Sequence, residues 1–232
     1  MSIAENLRNL RKKAVRAAER SRRSPDDITI VAISKTFPVD SVSEAVAAGQ
    51  LVFGENRIQE AEAKIRFFAE SHGIEWHLVG HLQSNKARRA AELFQVIHSL
   101  DSPQLAAKLS GACRAMGKQI SVLLQVDLGR EATKFGVDEA EVRDLVSAVL
   151  RMDGLRLNGL MIIPPYLEDP EQVRPYFARL RELRDNLEKE QPGCLGQRHL
   201  SMGMSHDFEV AVEEGATVIR VGTAIFGSRA YG

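Results

Sequence analysis

The sequence predicts an α/β fold, a single (β/α)8 TIM-type barrel formed by the whole 232-residue chain. Eight short apolar runs alternate with helical patterns, and this alternation produces a parallel sheet because each crossover needs a helix. The chain length divided by eight gives about 29 residues per unit, the length of one strand–helix repeat. Several runs, such as VLLQV, GLMII and VIRV, lack polar alternation, as expected of strands buried on both faces. A doubly wound open sheet is the structural alternative.

The predicted elements follow one another without a linker or low-complexity segment, so we expect one domain over residues 1–232. An amphipathic helix over about residues 2–23 precedes the first strand, because apolar residues recur there at helical spacing. The predicted strands cover 28–34, 51–54, 76–80, 96–99, 120–127, 157–163, 199–202 and 217–221. Helical patterns cover 38–48, 58–69, 103–116, 139–150, 170–190 and 206–214.

The composition excludes several classes of partner. Lys plus Arg equals Asp plus Glu at 31 each, so no net field attracts nucleic acid or anionic lipid. No apolar run approaches the roughly 18 residues that a membrane span needs, and the N-terminus lacks a secretory signal pattern. Cys113 and Cys194 lie in no CxxC or metal-ligand spacing. We therefore expect a cytoplasmic protein with reduced cysteines and no nucleic-acid or membrane partner.

Polar side chains concentrate where the predicted strands end. In α/β barrels the binding and catalytic groups lie on the loops that follow the carboxyl ends of the strands. A barrel used only as a scaffold has no reason to gather polar groups on that rim, so we predict a ligand site there. The polar strand ends are SKT (34–36), GENR (54–57), GHLQSN (80–85), HSLD (98–101) and SMGMS (201–205).

Lys35 is the first candidate for covalent chemistry. It follows a nearly unbroken apolar strand, and partial desolvation makes an amine more nucleophilic. Such an amine suits an imine with an aldehyde. Two plainer interpretations remain, a lysine that extends its charged end to the rim and a lysine that only pairs with a phosphate.

A phosphate site is predicted after the last strand. Gly222, Thr223 and Ala224 can open a short helix there, and barrels often bind phosphate with backbone N–H groups at this position. Ser201 and Ser205, on either side of Gly203, would add hydroxyl donors. The alternative is that these glycines only form tight turns.

Arg220 and two histidines complete the candidate set. Arg220 alternates with Val218, so both face the barrel interior, where an arginine needs a partner. That partner is an acid on a neighbouring strand, a ring nitrogen or an anion of a ligand. His77 and His81 lie on a predicted strand and its exit, where their spacing does not converge two rings, so we expect a buried, hydrogen-bonded His77 and no metal site.

Six segments, read together, identify a resemblance to the pyridoxal phosphate homeostasis proteins, the YggS/PROSC family of proteins that bind pyridoxal 5′-phosphate (PLP). They cover nearly the whole chain in order, and their combination is more specific than any one of them. The segments are AISKTFP (32–38), FGENRIQEAEAK (53–64), WHLVGHLQSNKAR (76–88), LLQVDLGREATKFG (123–136), GLMIIPP (159–165) and LSMGMSHDFEVAVEEGATVIRVGTAIFGSR (200–229).

The resemblance implies a barrel like the N-terminal domain of alanine racemase, PLP fold type III. It implies that Lys35 carries PLP as a Schiff base and that Arg220 faces the pyridine nitrogen. Phosphate contacts are implied for Ser201, Gly222 and Thr223, and pocket-lining positions for Asn56 and Met202. One departure from the family pattern is His206, where an acidic residue is more usual after SMGMS.

An arginine beside the ring nitrogen disfavours ring protonation and makes the ring a weaker electron sink. A racemase with such an arginine needs a second base, yet none of Tyr166, Tyr176 and Tyr231 lies in an obvious base-donating motif. We therefore expect an intracellular PLP homeostasis protein without turnover, a monomer with no catalytic residue and no metal.

Three points stay open from the sequence. The chain can instead be a PLP-dependent amino-acid racemase, or a phosphosugar-type barrel enzyme with Lys35 as its Schiff-base lysine. PLP-dependent apoenzymes are candidate recipients of the cofactor. Lys134 is a candidate secondary lysine on a transfer route.

Overall fold

A computed structural model describes residues 1–129 and 135–227. Eight parallel strands form a closed barrel, in the order β4-β3-β2-β1-β9-β8-β7-β5, and pairing of β4 with β5 completes the ring. The closure confirms the predicted barrel and excludes the open sheet. The strands are β1 (Thr29–Ile33), β2 (Val52–Glu55), β3 (Glu75–Leu78), β4 (Val96–Leu100), β5 (Ile120–Asp127), β6 (Val137–Asp138), β7 (Leu155–Met161), β8 (His199–Ser201) and β9 (Val218–Val221).

Helices follow the barrel strands on the outside. Each predicted helix overlaps an observed one, but the sequence patterns did not indicate α4 or the two-residue strand β6, which pairs with β5 outside the ring. The helices are α1 (Ile3–Arg20), α2 (Val39–Ala47), α3 (Ile58–Phe67), α4 (Ala87–Leu93), α5 (Pro103–Ala115), α6 (Val142–Val149), α7 (Arg174–Glu190), α8 (Phe208–Glu213) and α9 (Thr223–Phe226).

The buried apolar residues form two clusters, one inside the barrel and one between its strands and the outer helices. A small cluster of Val31, Ile33, Val79 and Val218 fills the interior, whereas the larger cluster packs between strands and helices. Side chains alternate along a strand, so residues two positions from these four lie on the interior side as well. This register gives the interior a polar part, because Arg220 is two residues beyond Val218 and His77 two before Val79.

Helix α1 packs on the outer layer of the barrel, and its first turns contact the carboxyl rim. It begins with a capping box between Ser2 and Glu5 and buries an apolar face against the domain. The Asn6 side-chain amide donates to the Ile225 carbonyl over 2.8 Å, which ties α1 to α9, the short helix after the last barrel strand. Across the described ranges, no helix combines the length and apolarity of a membrane span.

Candidate functional site

Lys35 lies in a tight turn at the end of β1. The Phe37 amide donates to the Ser34 carbonyl over 3.1 Å, and Thr36 has a φ of 68°. A positive φ is uncommon for a β-branched residue, and such strain persists only where the surroundings hold it. One restraint is the Glu60 carboxylate, which accepts from the Thr36 amide over 3.2 Å. The turn therefore fixes the backbone of a half-buried lysine at the rim.

A buried ion pair supports this turn from the strand–helix layer. Lys64 Nζ lies 2.6 Å from both Glu55 Oε1 and the Ser34 carbonyl, and the Ser34 hydroxyl donates to the same Glu55 oxygen over 2.6 Å. Burial raises the pKa of Glu55, and the hydrogen bonds from Lys64 and Ser34 oppose that effect. The cluster holds the residue immediately before Lys35. Sequence reasoning gave Lys64 no role, because its pairing with β2 depends on how α3 packs.

The Gly222 loop lies next to the Lys35 strand. Helix α9 begins after Gly222, and the Ser205 hydroxyl accepts from the amides of Gly222 and Ala224 at 3.3 Å each. A Cβ on Gly222 would lie 3.2 Å from the Ile33 carbonyl oxygen, tighter than ordinary contact, so glycine permits the close approach to β1.

An aromatic contact also joins these two parts of the rim. Phe37, two residues after Lys35, stacks on Phe226 of α9 with ring centroids 4.9 Å apart. The structure thus brings together the amine-bearing turn and the amide-bearing loop, which are far apart in the chain. Thr223 is exposed at the first position of α9, on the same loop.

Arg220 faces the barrel interior, as its alternation with Val218 predicts. Its Nη1 donates to Ser201 Oγ over 2.7 Å and its Nη2 to the Ile162 carbonyl over 2.8 Å. Burial lowers the pKa of Arg220 to about 10, and the Asp207 carboxylate opposes this shift from a distance. Within the described ranges Arg220 forms no ion pair, so the acid on a neighbouring strand that its position allowed is not its partner.

The other three residues implied by the resemblance lie in different surroundings. The Ser201 hydroxyl contacts Arg220 and His98 in the interior, whereas Ser205 lies at the Gly222 amides. A phosphate contact from Ser201 therefore stays a prediction without support in this geometry. Met202 is buried in the outer apolar cluster, and Asn56 is half-buried at the exit of β2.

The prediction of a buried, hydrogen-bonded His77 is confirmed. His77 is buried and hydrogen-bonded, with its Nδ1 2.9 Å from Nε2 of His98. His81 instead stacks on Phe135 with centroids 3.5 Å apart. Among residues 1–129 and 135–227, no group of three or more His, Cys, Asp or Glu side chains is arranged to hold a metal ion. Lys134 and Tyr231 fall outside the described residues.

Known proteins resemble this chain over nearly its whole length. The sequence model described as "Alanine racemase, N-terminal domain" matches residues 2–230. The pyridoxal phosphate homeostasis protein of Aquifex aeolicus is 43% identical over 233 residues, which cover 100% of this chain and 100% of that protein. The solved structure of PipY from Synechococcus elongatus with PLP bound has a TM-score of 0.86 at 40% identity, covering 97% of this chain and 100% of PipY.

A more distant structure supports the fold alone. Alanine racemase from Streptomyces coelicolor has a TM-score of 0.71 at 23% identity, and the match covers 95% of this chain and 58% of the racemase.

Proposed function

This chain belongs to the family of pyridoxal phosphate homeostasis proteins, and we propose that it holds PLP as a Schiff base on Lys35 and serves intracellular PLP homeostasis. The names of its full-length relatives and the PLP-bound structure of PipY support the proposal. One observation on this chain carries it: the Lys35 turn and the Gly222 loop pack against each other at one rim, through the close approach of Gly222 to Ile33. We propose that residues 1–232 act as one PLP-binding domain.

The residues at the rim suit the three parts of this cofactor. PLP supplies an aldehyde that condenses with an amine, a pyridine ring and a phosphate. Lys35 is the amine, and the amides of the loop at Gly222 suit the phosphate, with Thr223 and the Ser205 hydroxyl beside them. Arg220 is the proposed partner of the ring nitrogen. Asn56, Met202 and Ser201 remain proposed contacts on the strength of the family resemblance.

The proposed role does not include turnover. A buried guanidinium beside the ring nitrogen opposes protonation of the ring, so a carbanion on the substrate would be poorly stabilised. Tyr166 is exposed, which does not suit a base held at a fixed position. Exchange of the α-proton of an added amino acid in heavy water, lost with Lys35, would contradict this part of the proposal.

We propose further that the protein is a cytoplasmic monomer that exchanges PLP with apoenzymes. The balanced charge supports the absence of nucleic-acid binding, since no basic excess is available for phosphate backbones. The half-buried position of Lys35 supports exchange, because an incoming amine can reach an imine at the rim.

Absorbance provides the test. Purified protein mixed with PLP should show a yellow imine band that Lys35→Ala abolishes, while weaker non-covalent PLP binding persists through the phosphate site. Lys12→Ala, an exposed lysine on α1, is the matched control and should keep the band. An unchanged band in Lys35→Ala would overturn the proposal.

A further inference from the structure

Four side chains form one continuous hydrogen-bonded chain across the barrel interior. They come from the inward positions of four strands: His77 on β3, His98 on β4, Ser201 on β8 and Arg220 on β9. His77 Nδ1 lies 2.9 Å from His98 Nε2, His98 Nδ1 lies 2.8 Å from Ser201 Oγ, and Arg220 Nη1 lies 2.7 Å from the same oxygen. All four are buried.

The chain ends at Glu75 on the opposite side of the barrel from the rim. His77 Nε2 lies 3.2 Å from Glu75 Oε1, a close approach without the alignment of a hydrogen bond. Glu75 is half-exposed and lies two residues before His77, near the amino end of β3. The His77 ring lowers the pKa of Glu75, so a carboxylate is favoured there.

The donors and acceptors give this chain of four hydrogen-bonded side chains a direction. Arg220 can only donate, so the Ser201 oxygen accepts from it and the Ser201 proton is free to point at His98 Nδ1. With both imidazoles neutral, His98 then donates from Nε2 to His77 Nδ1, and the remaining His77 proton is on Nε2, 3.2 Å from Glu75 Oε1. The reverse order would set a lone pair of His77 against that carboxylate.

The surroundings of His98 favour its neutral form. It has no exposed surface, and burial, followed by the nearby His77 and Arg220, holds its pKa well below the usual range. The other titratable groups around the chain are His199, which faces His77 and Glu75, and Asp207, which faces Arg220. A neutral His98 has one acceptor nitrogen, and Ser201 is the hydroxyl within reach of it.

We propose that His98 is a positioning residue for the cofactor: by accepting from Ser201 it keeps the Ser201 oxygen turned toward Arg220, and so holds the guanidinium in place for the pyridine ring. His77 fixes the ring plane of His98 from behind. The inference rests on the proposed function, because the guanidinium is assigned a ring contact there. It goes beyond that proposal by assigning a role to two histidines that would not touch PLP.

The energetic cost of burying four polar side chains supports a role for them beyond packing. A buried polar network is stabilising only when every member is satisfied, and an apolar interior of equal volume is often as stable. The neighbouring part of the same interior is packed with valine and isoleucine. Positioning of the Arg220 guanidinium explains why polar side chains lie beside this apolar part.

Three substitutions at one position separate positioning from stability. His98→Asn keeps an acceptor near the Nδ1 position, His98→Gln keeps a group near the Nε2 position, and His98→Leu removes both. His199→Asn is the control, because His199 pairs with Thr217 and Gln197 outside the chain. The readouts are the PLP dissociation constant and the absorbance wavelength of bound PLP. For each variant, borohydride reduction of a separate sample confirms that the imine is on Lys35.

We expect His98→Leu to weaken PLP binding about tenfold, equivalent to about 1.4 kcal/mol, and to shift the absorbance band. His98→Asn should stay within about threefold of wild type, while His98→Gln should resemble His98→Leu. Wild-type affinity and wavelength in His98→Leu, with the imine intact, would overturn the inference and leave the proposed function standing. Absence of the imine in the wild type would overturn the proposed function itself.

Nitrogen-15 NMR of the wild type tests the chain without any variant that has to fold. Both His77 and His98 should carry their protons on Nε2, and the His98 signals should move when PLP is added. A proton on His98 Nδ1 in the neutral ring would reverse the chain and overturn the inference.

Discussion

Arg220 donates a 2.7 Å hydrogen bond to the hydroxyl of Ser201, and the two residues lie on neighbouring strands inside the barrel. Within residues 1–129 and 135–227, the hydrogen-bond partners of the guanidinium are this hydroxyl and the Ile162 carbonyl, and both are neutral. The positive charge is therefore oriented without being cancelled by a close carboxylate, and it remains available to a ligand ring.

Removing this charge should alter the bound cofactor. We expect Arg220→Ala to weaken PLP binding and to shift the absorbance band, because the ring nitrogen loses a cation that opposes its protonation. The measurement is a titration followed by absorbance. Arg156→Ala, an exposed arginine on β7, is the control and should match wild type. An unchanged spectrum and affinity in Arg220→Ala would refute the ring contact.

Ser201, at the end of β8, and Ser205, in the loop after it, should differ in their effect on phosphate recognition. The Ser205 hydroxyl accepts from two amides at the Gly222 loop and keeps its own proton for a phosphate oxygen. Ser205→Ala should therefore weaken PLP binding about fivefold to tenfold but leave binding of pyridoxal, which lacks the phosphate, nearly unchanged. Ser201→Ala should weaken both ligands alike, since its hydroxyl contacts Arg220. The opposite pattern would restore the phosphate contact that the resemblance implies for Ser201.

The strand and barrel predictions succeeded because they depend on local information. Buried parallel strands are apolar throughout, and the spacing between such runs is set by the helix that must return the chain. Helix α4 was missed because its buried residues are Ala87, Ala90 and Ala91, and small alanine side chains give a weak apolar pattern.

The site was predictable only in part, because the sequence shows which way a strand residue faces but not which distant residue it meets. Lys35 and Arg220 follow apolar residues of the same strand, so alternation shows which way they face. The partner of Ser201 is His98, 103 residues away, and no local pattern pairs them. Likewise, whether Ser201 or Ser205 reaches the Gly222 amides depends on where β8 ends, and a difference of one residue moves a side chain to the other face.

Breaking the Lys64–Glu55 pair should strongly destabilise the fold. Lys64→Met leaves a fully buried carboxylate without its cation, so we expect a loss of about 3–5 kcal/mol in the free energy of unfolding. Urea denaturation measures this loss. The double variant Lys64→Met/Glu55→Gln should recover part of it, because the unpaired charge is gone, and a double variant no more stable than Lys64→Met would contradict the explanation.

Acid should destabilise the protein in a way that depends on His98. Burial lowers the pKa of His98 in the folded state, so below its ordinary value of about 6.5 the unfolded chain binds a proton that the folded chain does not. The free energy of unfolding therefore decreases as the pH is lowered below about 6.5, by up to about 1.4 kcal/mol per pH unit from this group.

The matching experiment compares wild type with His98→Asn by urea denaturation at about pH 7, 6 and 5. The variant lacks the titrating ring, so the stability of the wild type should decline relative to it as pH falls. His72→Asn, at an exposed histidine, controls for loss of one histidine. A constant difference between wild type and His98→Asn over this range would contradict a neutral His98 in the fold.

The central claim concerns one amine, and one measurement addresses it directly. Protein incubated with PLP, reduced with borohydride and digested should yield a single major modified peptide, with the pyridoxyl group on Lys35. The buried Lys64, only a few ångströms from the same turn through the Ser34 carbonyl, should remain unmodified. Recovery of the modification mainly on another lysine, or on none, would contradict the account.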